Sequence, residues 1–206
     1  MHQEVLNQKT KRFLEKINKT EILGNFYLAG GTALALQIGH RKSLDLDWFS
    51  KKSFLLGDLK NKLKIFGKLK IEEEEKDTLN CILNGTKVSF FEYPYKTLFP
   101  FINYKKNIKL ADKRDIACMK IDALSSRGSK KDFIDFYFLL REFSLKQLLN
   151  LFDKKYKDIK YNHLHILKSL TYFKEAEKQP MPLMLKEIDW EIVKKEIIKK
   201  IKSYLI

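Results

Sequence analysis

Between residues 25 and 49 the chain runs through a fixed succession: a short apolar segment, a glycine pair, a helix-forming stretch, and a second apolar segment carrying two aspartates. Residues 25–29 (NFYLA) read as a buried strand, with Gly30-Gly31 directly after it as a tight turn. Residues 32–38 (TALALQI) have helix-forming composition and stop at Gly39, a helix cap. Residues 43–49 (SLDLDWF) alternate, with Leu44, Leu46 and Trp48 on one face, which predicts a half-buried strand. Few folds require a strand, a glycine turn, a helix and a strand in that order, and the unit is α/β in character.

The rest of the chain divides in two. An amphipathic helix opens it over residues 4–19, and a further helix is predicted over 54–66. Strands follow at 69–75, 78–83 and 86–93, the last two joined by Asn84-Gly85, a pair that tolerates the positive φ of a hairpin turn. The acidic run Glu72 to Glu75 reads as a solvated strand edge, and Pro94 and Pro100 bracket a loop. From Asp112 onward the pattern is helical, with helices near 112–126, 130–142, 144–157, 162–173 and 189–204. The expected architecture is α+β: a core domain over residues 1–142, then a C-terminal helical region over 143–206.

Charge bears on partners. Forty-one Lys and Arg face 26 Asp and Glu, a net charge of +15. The first hundred residues hold 17 basic and 12 acidic side chains, net +5, and the remaining 106 hold 24 and 14, net +10. Such a protein attracts polyanions, RNA or DNA foremost, although a lysine-rich coding bias produces the same composition. Cys81 and Cys118 have no metal-like spacing and fit a reducing cytoplasm. The start lacks a charged-then-apolar signal pattern, and no apolar stretch approaches the ~18 residues of a membrane span, so a cytoplasmic protein with no membrane partner is expected.

Asp45 and Asp47, two apart on a predicted strand, put both carboxylates on one face. Two such carboxylates suit Mg²⁺, a hard cation that bridges to substrate phosphates. The Gly30-Gly31 turn lets backbone N–H groups approach phosphate oxygens, and the helix N-terminus after it favours negative charge. Arg41 offers a guanidinium to triphosphate or to acceptor RNA, while the bland reading of it is a solvated loop. The G-x-x-x-x-G-K-[ST] pattern of a P-loop is missing, and no Ser/His/Asp constellation is visible. Later, Ser129 is a fair N-cap for a helix on which Lys131, Asp132 and Asp135 can share one face, and Lys120 and Arg127 lie two turns apart on one side of the preceding helix.

The succession strand, Gly-Gly, helix, strand, D-x-D resembles the opening of polymerase-β-type nucleotidyltransferases. Residues 28–36 (LAGGTALAL) and 40–49 (HRKSLDLDWF) are similar to the AbiEii/AbiGii toxin family of bacterial nucleotidyltransferases. So are residues 115–124 (DIACMKIDAL) and 127–137 (RGSKKDFIDFY). With residues 87–91 (KVSFF) between them, these blocks carry the resemblance over roughly residues 25–142. It implies a nucleotidyltransferase-type mixed sheet flanked by helices. Gly30, Gly31 and Thr32 match the family's phosphate-contacting turn, and Asp45 and Asp47 its metal pair. Lys120 matches a lysine that contacts nucleotide phosphates, and Lys131, Asp132 and Asp135 match the K-D-x-x-D motif, whose aspartate is implicated in catalysis. One departure stands out. Many such enzymes take a third carboxylate from a later strand, where this chain has Ser89, with Glu92 on the opposite face.

The resemblance implies an Mg²⁺-dependent transferase that moves a nucleoside monophosphate from an NTP to an acceptor. It also implies a toxin of a toxin–antitoxin or phage-defence system, paired with a separately encoded antitoxin. For some members the acceptor is the 3′ end of tRNA. Two alternatives remain open at this point: a protein side chain as acceptor, or nucleotide or RNA binding without turnover.

Overall fold

A computed structural model describes residues 1–205. They separate into two compact units, residues 1–95 with 100–112, and residues 96–99 with 113 onward.

The first unit is built on a seven-stranded mixed sheet of order β3-β4-β5-β2-β1-β7-β6. A 3-10 turn (Gln3–Val5) and α1 (Gln8–Ile17) precede β1 (Phe26–Ala29), α2 (Gly30–Ile38), β2 (Leu46–Ser50) and α3 (Leu56–Lys64). The remaining strands are β3 (Leu69–Glu75), β4 (Thr78–Leu83), β5 (Thr86–Glu92), β6 (Ile102–Lys105) and β7 (Ile108–Leu110). At the centre β1 pairs antiparallel with β2, β2 parallel with β5, and β1 parallel with β7. Pairing in register puts Phe26, Leu28, Leu46, Trp48, Val88 and Phe90 on one face, all buried. Helix α2 is apolar on nearly every side, and six of its nine residues are buried, as an all-round apolar helix requires. Gly39 caps it in the left-handed conformation, φ +63°. Asn84 (φ +50°) and Gly85 (φ +79°) make the expected β4–β5 hairpin, and Glu72 to Glu75 lie exposed on edge strand β3.

One expectation is corrected in this unit. The second strand starts at Leu46 instead of residue 43, which leaves Leu44 47% exposed and Asp45 just outside the strand. The reason is a competing bond: the Ser43 N–H donates to the Val5 carbonyl at 3.0 Å and holds residues 41–45 off the sheet. Strands β6 and β7 lie in the stretch between the Pro94–Pro100 loop and the helices, for which the sequence pattern predicts no element.

The second unit is helical: α4 (Lys113–Ser126), α5 (Lys130–Leu140), α6 (Leu145–Lys155), α7 (His163–Ser169), α8 (Lys174–Glu177) and α9 (Trp190–Leu205). The helix expected over 162–173 ends at Ser169, and a separate short helix begins at Lys174. Ser129 caps α5 by accepting the Asp132 N–H, and Ser144 with Gln147 forms a capping box on α6. The buried Phe133 and Trp190 meet the half-buried Phe173 in an aromatic cluster with centroids 4.7 to 6.1 Å apart. Sequence reasoning kept α4 and α5 with the sheet through residue 142, whereas the structure groups them with the later helices. The segment 96–99 belongs to this unit as well. Asp115 accepts the backbone N–H groups of Leu98 and Phe99 at 3.0 Å, and the buried Lys155 ammonium bridges Asp115 (2.8 Å) and the Lys96 carbonyl (2.9 Å). Among the described residues no helix is long and apolar enough to cross a membrane.

Candidate active site

In the first unit the site begins with backbone geometry. Antiparallel pairing sets Ala29 opposite Asp47, so the turn that follows β1 lands against the Asp47 side chain. Gly30 adopts φ +64°, and a Cβ there would lie 2.6 Å from Asp47 Oδ2. Both the conformation and the close approach require glycine. A Cβ on Gly31 would overlap the Arg41 guanidinium. Arg41 is buried, with Nη1 donating to the Lys42 carbonyl at 3.0 Å, so it backs the turn instead of waving in a solvated loop. His40 beside it is fully buried.

Thr32 is 1% exposed, and its hydroxyl donates to the Asp45 carbonyl and pairs with Ser43 Oγ at 2.8 Å. Its hydroxyl is thus engaged in fixing Asp45, while its N–H lies in the first turn of α2. Asp45 and Asp47 are half-buried, and Leu46 and Trp48 are fully buried. Strand alternation therefore keeps the Asp47 carboxylate accessible, and Asp45 is accessible just before the strand begins.

Asp47 pairs in register with Ser89 of β5, which is 4% exposed. Beyond Ser89 the same row continues to Asn80 and then Glu73, joined by a hydrogen bond of 2.5 Å. Glu73 is three strand spacings from Asp47, about 14 Å at ~4.8 Å per strand, too far to share a cation. Glu92 pairs with Ser50 and so faces the other side. The row holds a hydroxyl where a third carboxylate would stand. Groups of three or more His, Cys, Asp or Glu poised for a metal are absent among the described residues. Two half-buried carboxylates against a glycine turn nevertheless fit Mg²⁺, which binds through one or two protein carboxylates and takes its other oxygens from phosphate and water.

The second unit holds the other predicted residues. Lys120 on α4 is buried, with Nζ 2.7 Å from Asp132 Oδ1 and 2.6 Å from Asp135 Oδ2 on α5. Asp132 further accepts from Arg127 Nε at 3.0 Å and from Ser129 Oγ at 2.5 Å. Burial opposes its charge, but Lys120 and Arg127 outweigh that and hold the Asp132 carboxyl well below the usual range. Two cations and two carboxylates make the cluster neutral, which is how buried charge is tolerated. Lys131 does not share the face of Asp132 and Asp135: both aspartates are fully buried, and Lys131 is exposed. The side chain of Arg127 is 63% exposed while its Nε holds Asp132. Sequence reasoning paired Arg127 with Lys120 by spacing but assigned Arg127 no role; the S-x-x-D cap that aims Asp132 back toward it is the signal that could have shown one.

A family model described as "Nucleotidyl transferase AbiEii toxin, Type IV TA system" matches residues 12–110 and 92–203. The chain is a member of the AbiEii nucleotidyltransferase toxin family. The first span of the AbiEii match contains the glycine turn and both aspartates, and the second contains the Lys120–Asp132–Asp135 cluster. The protein aq_aa25 of Aquifex aeolicus (strain VF5) is 40% identical over 207 residues, covering 97% of this chain and 98% of that protein. Two solved structures have a similar fold. One is a "putative nucleotidyltransferase from H. pylori", with TM-score 0.53 and 17% identity over 98% of this chain and 92% of that one. The other is MenT4, the nucleotidyltransferase toxin Rv2826c of Mycobacterium tuberculosis H37Rv, with TM-score 0.55 and 10% identity over 92% of this chain and 82% of that one.

Proposed function

We propose that this AbiEii toxin transfers a nucleoside monophosphate from an NTP to an RNA acceptor, the 3′ end of tRNA, in an Mg²⁺-dependent reaction in the cytoplasm, and that a cognate antitoxin restrains it in phage defence. The observation that carries the reading is the Gly30-Gly31 turn set against Asp47, with Asp45 beside it. Backbone N–H groups of the turn and the N-terminus of α2 receive the β- and γ-phosphates. Arg41, buried behind Gly31, adds positive charge to that end. Asp45 and Asp47 are the residues that would hold the metal. When bound there, Mg²⁺ supplies charge neutralisation of the triphosphate.

The protein's own contribution is positioning. Thr32 fixes the backbone of Asp45 through its carbonyl, and Gly30 fixes the approach to Asp47. Fixed dipoles and charges in a preset geometry can supply most of a phosphoryl-type transfer, because little covalent chemistry falls to the protein. In the second unit Lys120, Asp132 and Asp135 act as a positioning core, and the exposed Arg127 and Lys131 are the cations offered to phosphate. Net charge of +15 supports RNA as the acceptor, since phosphate contacts dominate such binding.

The test is incubation of purified protein with Mg²⁺, each α-labelled NTP, and total RNA or lysate, beside an Asp45→Asn/Asp47→Asn variant. Label in tRNA-sized RNA with one nucleotide, lost in the variant, is the expected result. Label in protein bands would make a side chain the acceptor. NTP binding with no label in any fraction would leave a binding protein and make Ser89 the residue to examine next.

A further inference from the structure

The face of the central sheet that carries Asp47 also carries a continuous aromatic strip. Phe49 follows Asp47 by two residues on β2, on the same side of the strand. Its ring stacks on Tyr27 at 6.0 Å and 29°, meets Phe91 at 5.3 Å, and meets Tyr93 edge-on at 5.3 Å. Tyr93 continues to Tyr95 at 4.7 Å, and Tyr27 to Phe101 at 4.7 Å. On the opposite face Phe26, Trp48 and Phe90 are buried; in the strip Tyr27 is buried as well, while Phe49, Phe91, Tyr93, Tyr95 and Phe101 are half-buried. Lys51, two residues beyond Phe49, places Nζ 5.8 Å from the Phe101 centroid, and Lys51 and Lys52 are both exposed.

Within β2 the alternate positions Asp47 and Phe49 thus read carboxylate and aromatic ring, with Asp45 just before the strand and Lys51 just after it. Direction gives this order meaning. Because β1 and β2 are antiparallel, Gly30 lies at the Asp45–Asp47 end, and Phe49 lies at the other, beside Tyr27. In a phosphoryl-type transfer the attacking and leaving oxygens are roughly in line. With the leaving pyrophosphate on the glycine turn, the attacking hydroxyl arrives from the Phe49 side. The two-residue step from Asp47 to Phe49, about 7 Å, is comparable with the reach from a ribose hydroxyl to the base on the same sugar. Half-exposed rings flanked by lysines are the means by which proteins hold single-stranded nucleic acid without reading its sequence.

We propose that this strip, centred on Phe49 and Phe91, stacks the terminal base of a single-stranded RNA acceptor, with Lys51 and Lys52 taking the preceding phosphate. The proposal rests on the transfer reading above, because that reading sets which end of β2 the acceptor approaches.

The experiment uses the full chain and a short single-stranded RNA carrying 2-aminopurine as its 3′-terminal base, beside the same strand with an abasic 3′ end. The wild-type protein should quench the 2-aminopurine and bind the intact strand about tenfold more tightly than the abasic one. Phe49→Leu/Phe91→Leu should bind both strands alike, at the abasic level, with the salt dependence of binding unchanged. Tyr93→Leu, at the far end of the strip, should give a partial loss without threatening the fold, and Phe49→Trp should retain the preference. A Phe49→Leu/Phe91→Leu protein that melts cooperatively and still prefers the intact base would overturn the proposal. So would a variant with unchanged RNA affinity but weakened binding of a fluorescent NTP analogue, since the strip would then hold the incoming nucleotide. Wild-type protein that quenches 2-aminopurine yet adds no nucleotide to the strand sinks the transfer reading alone. Nucleotide addition with an unaltered acceptor KM in the variants sinks the stacking alone.

Discussion

Asp47 on β2 stands directly across from Ser89 on β5, and no acidic side chain shares that row within cation-sharing distance. Ser89→Asp would place a third carboxylate beside Asp47. Two like charges ~5 Å apart at an effective dielectric near 20 repel by about 3 kcal/mol. In EDTA the variant should therefore melt roughly 5–10 °C below the wild type, and Mg²⁺ should restore more of its stability than it adds to the wild type. Thermal unfolding with and without the cation checks this, and equal Mg²⁺ responses would remove Asp47 from the metal site.

Gly30 and Gly57 make a matched pair. Ala at position 30 must adopt φ +64° and crowds the Asp47 carboxylate, whereas Ala at position 57 meets open space in α3. Gly30→Ala should cost about 1–2 kcal/mol from the backbone conformation and abolish nucleotide transfer. Gly57→Ala should stabilise by about 0.5–1 kcal/mol with transfer intact. Chemical denaturation and the labelling assay on both variants separate a general glycine effect from one specific to the turn.

Lys120 is the shared cation of two buried carboxylates. Lys120→Met leaves Asp135 buried with its lysine partner gone, and the loss should be about 3–5 kcal/mol. Arg127→Gln removes the exposed partner of Asp132 and should cost less, about 1 kcal/mol. Urea midpoints measured side by side test the ranking.

Asp132 also sets a direction for acid sensitivity. Its carboxyl in the folded protein lies below the unfolded value near 3.8, because Lys120 and Arg127 outweigh the cost of burial. The unfolded chain therefore takes up the proton first as pH drops. The stabilisation is complete above about pH 5 and drains away as pH falls through 4 toward the lower folded value. Asp132→Asn should be less stable at pH 7 and show a flatter loss of stability between pH 5 and 3. A parallel slope in wild type and variant would show that other carboxylates govern the acid limb.

The glycine turn and D-x-D were legible because spacing alone specifies them: two glycines after an apolar run, and two aspartates one residue apart on an alternating strand. Leu44 misled for the same reason. It fits the alternation, yet the Ser43 N–H is spent on Val5, a contact 38 residues away that no local pattern records. Arg41 sits in a run, His-Arg-Lys-Ser, that reads as a solvated loop, and only the missing Cβ of Gly31 makes room for its guanidinium. Strands β6 and β7 are four and three residues long and carry one lysine each, too short to stand out after a proline-bracketed loop. The Lys120 cluster was half visible. Spacing put Asp132 and Asp135 together, but it put Lys131 with them, and burial separates it.

Asp115 grips Leu98 and Phe99 by their backbone N–H groups alone. A grip of that kind is indifferent to side-chain identity at 98 and 99, and proline is the residue it forbids. Any residue but proline at 98 or 99 would therefore leave the buried aspartate satisfied. Excision is a different matter. A fragment beginning at residue 113 lacks the Leu98 and Phe99 N–H groups that Asp115 accepts and the Lys96 carbonyl that Lys155 reaches, so four residues encoded upstream must travel with the helical unit.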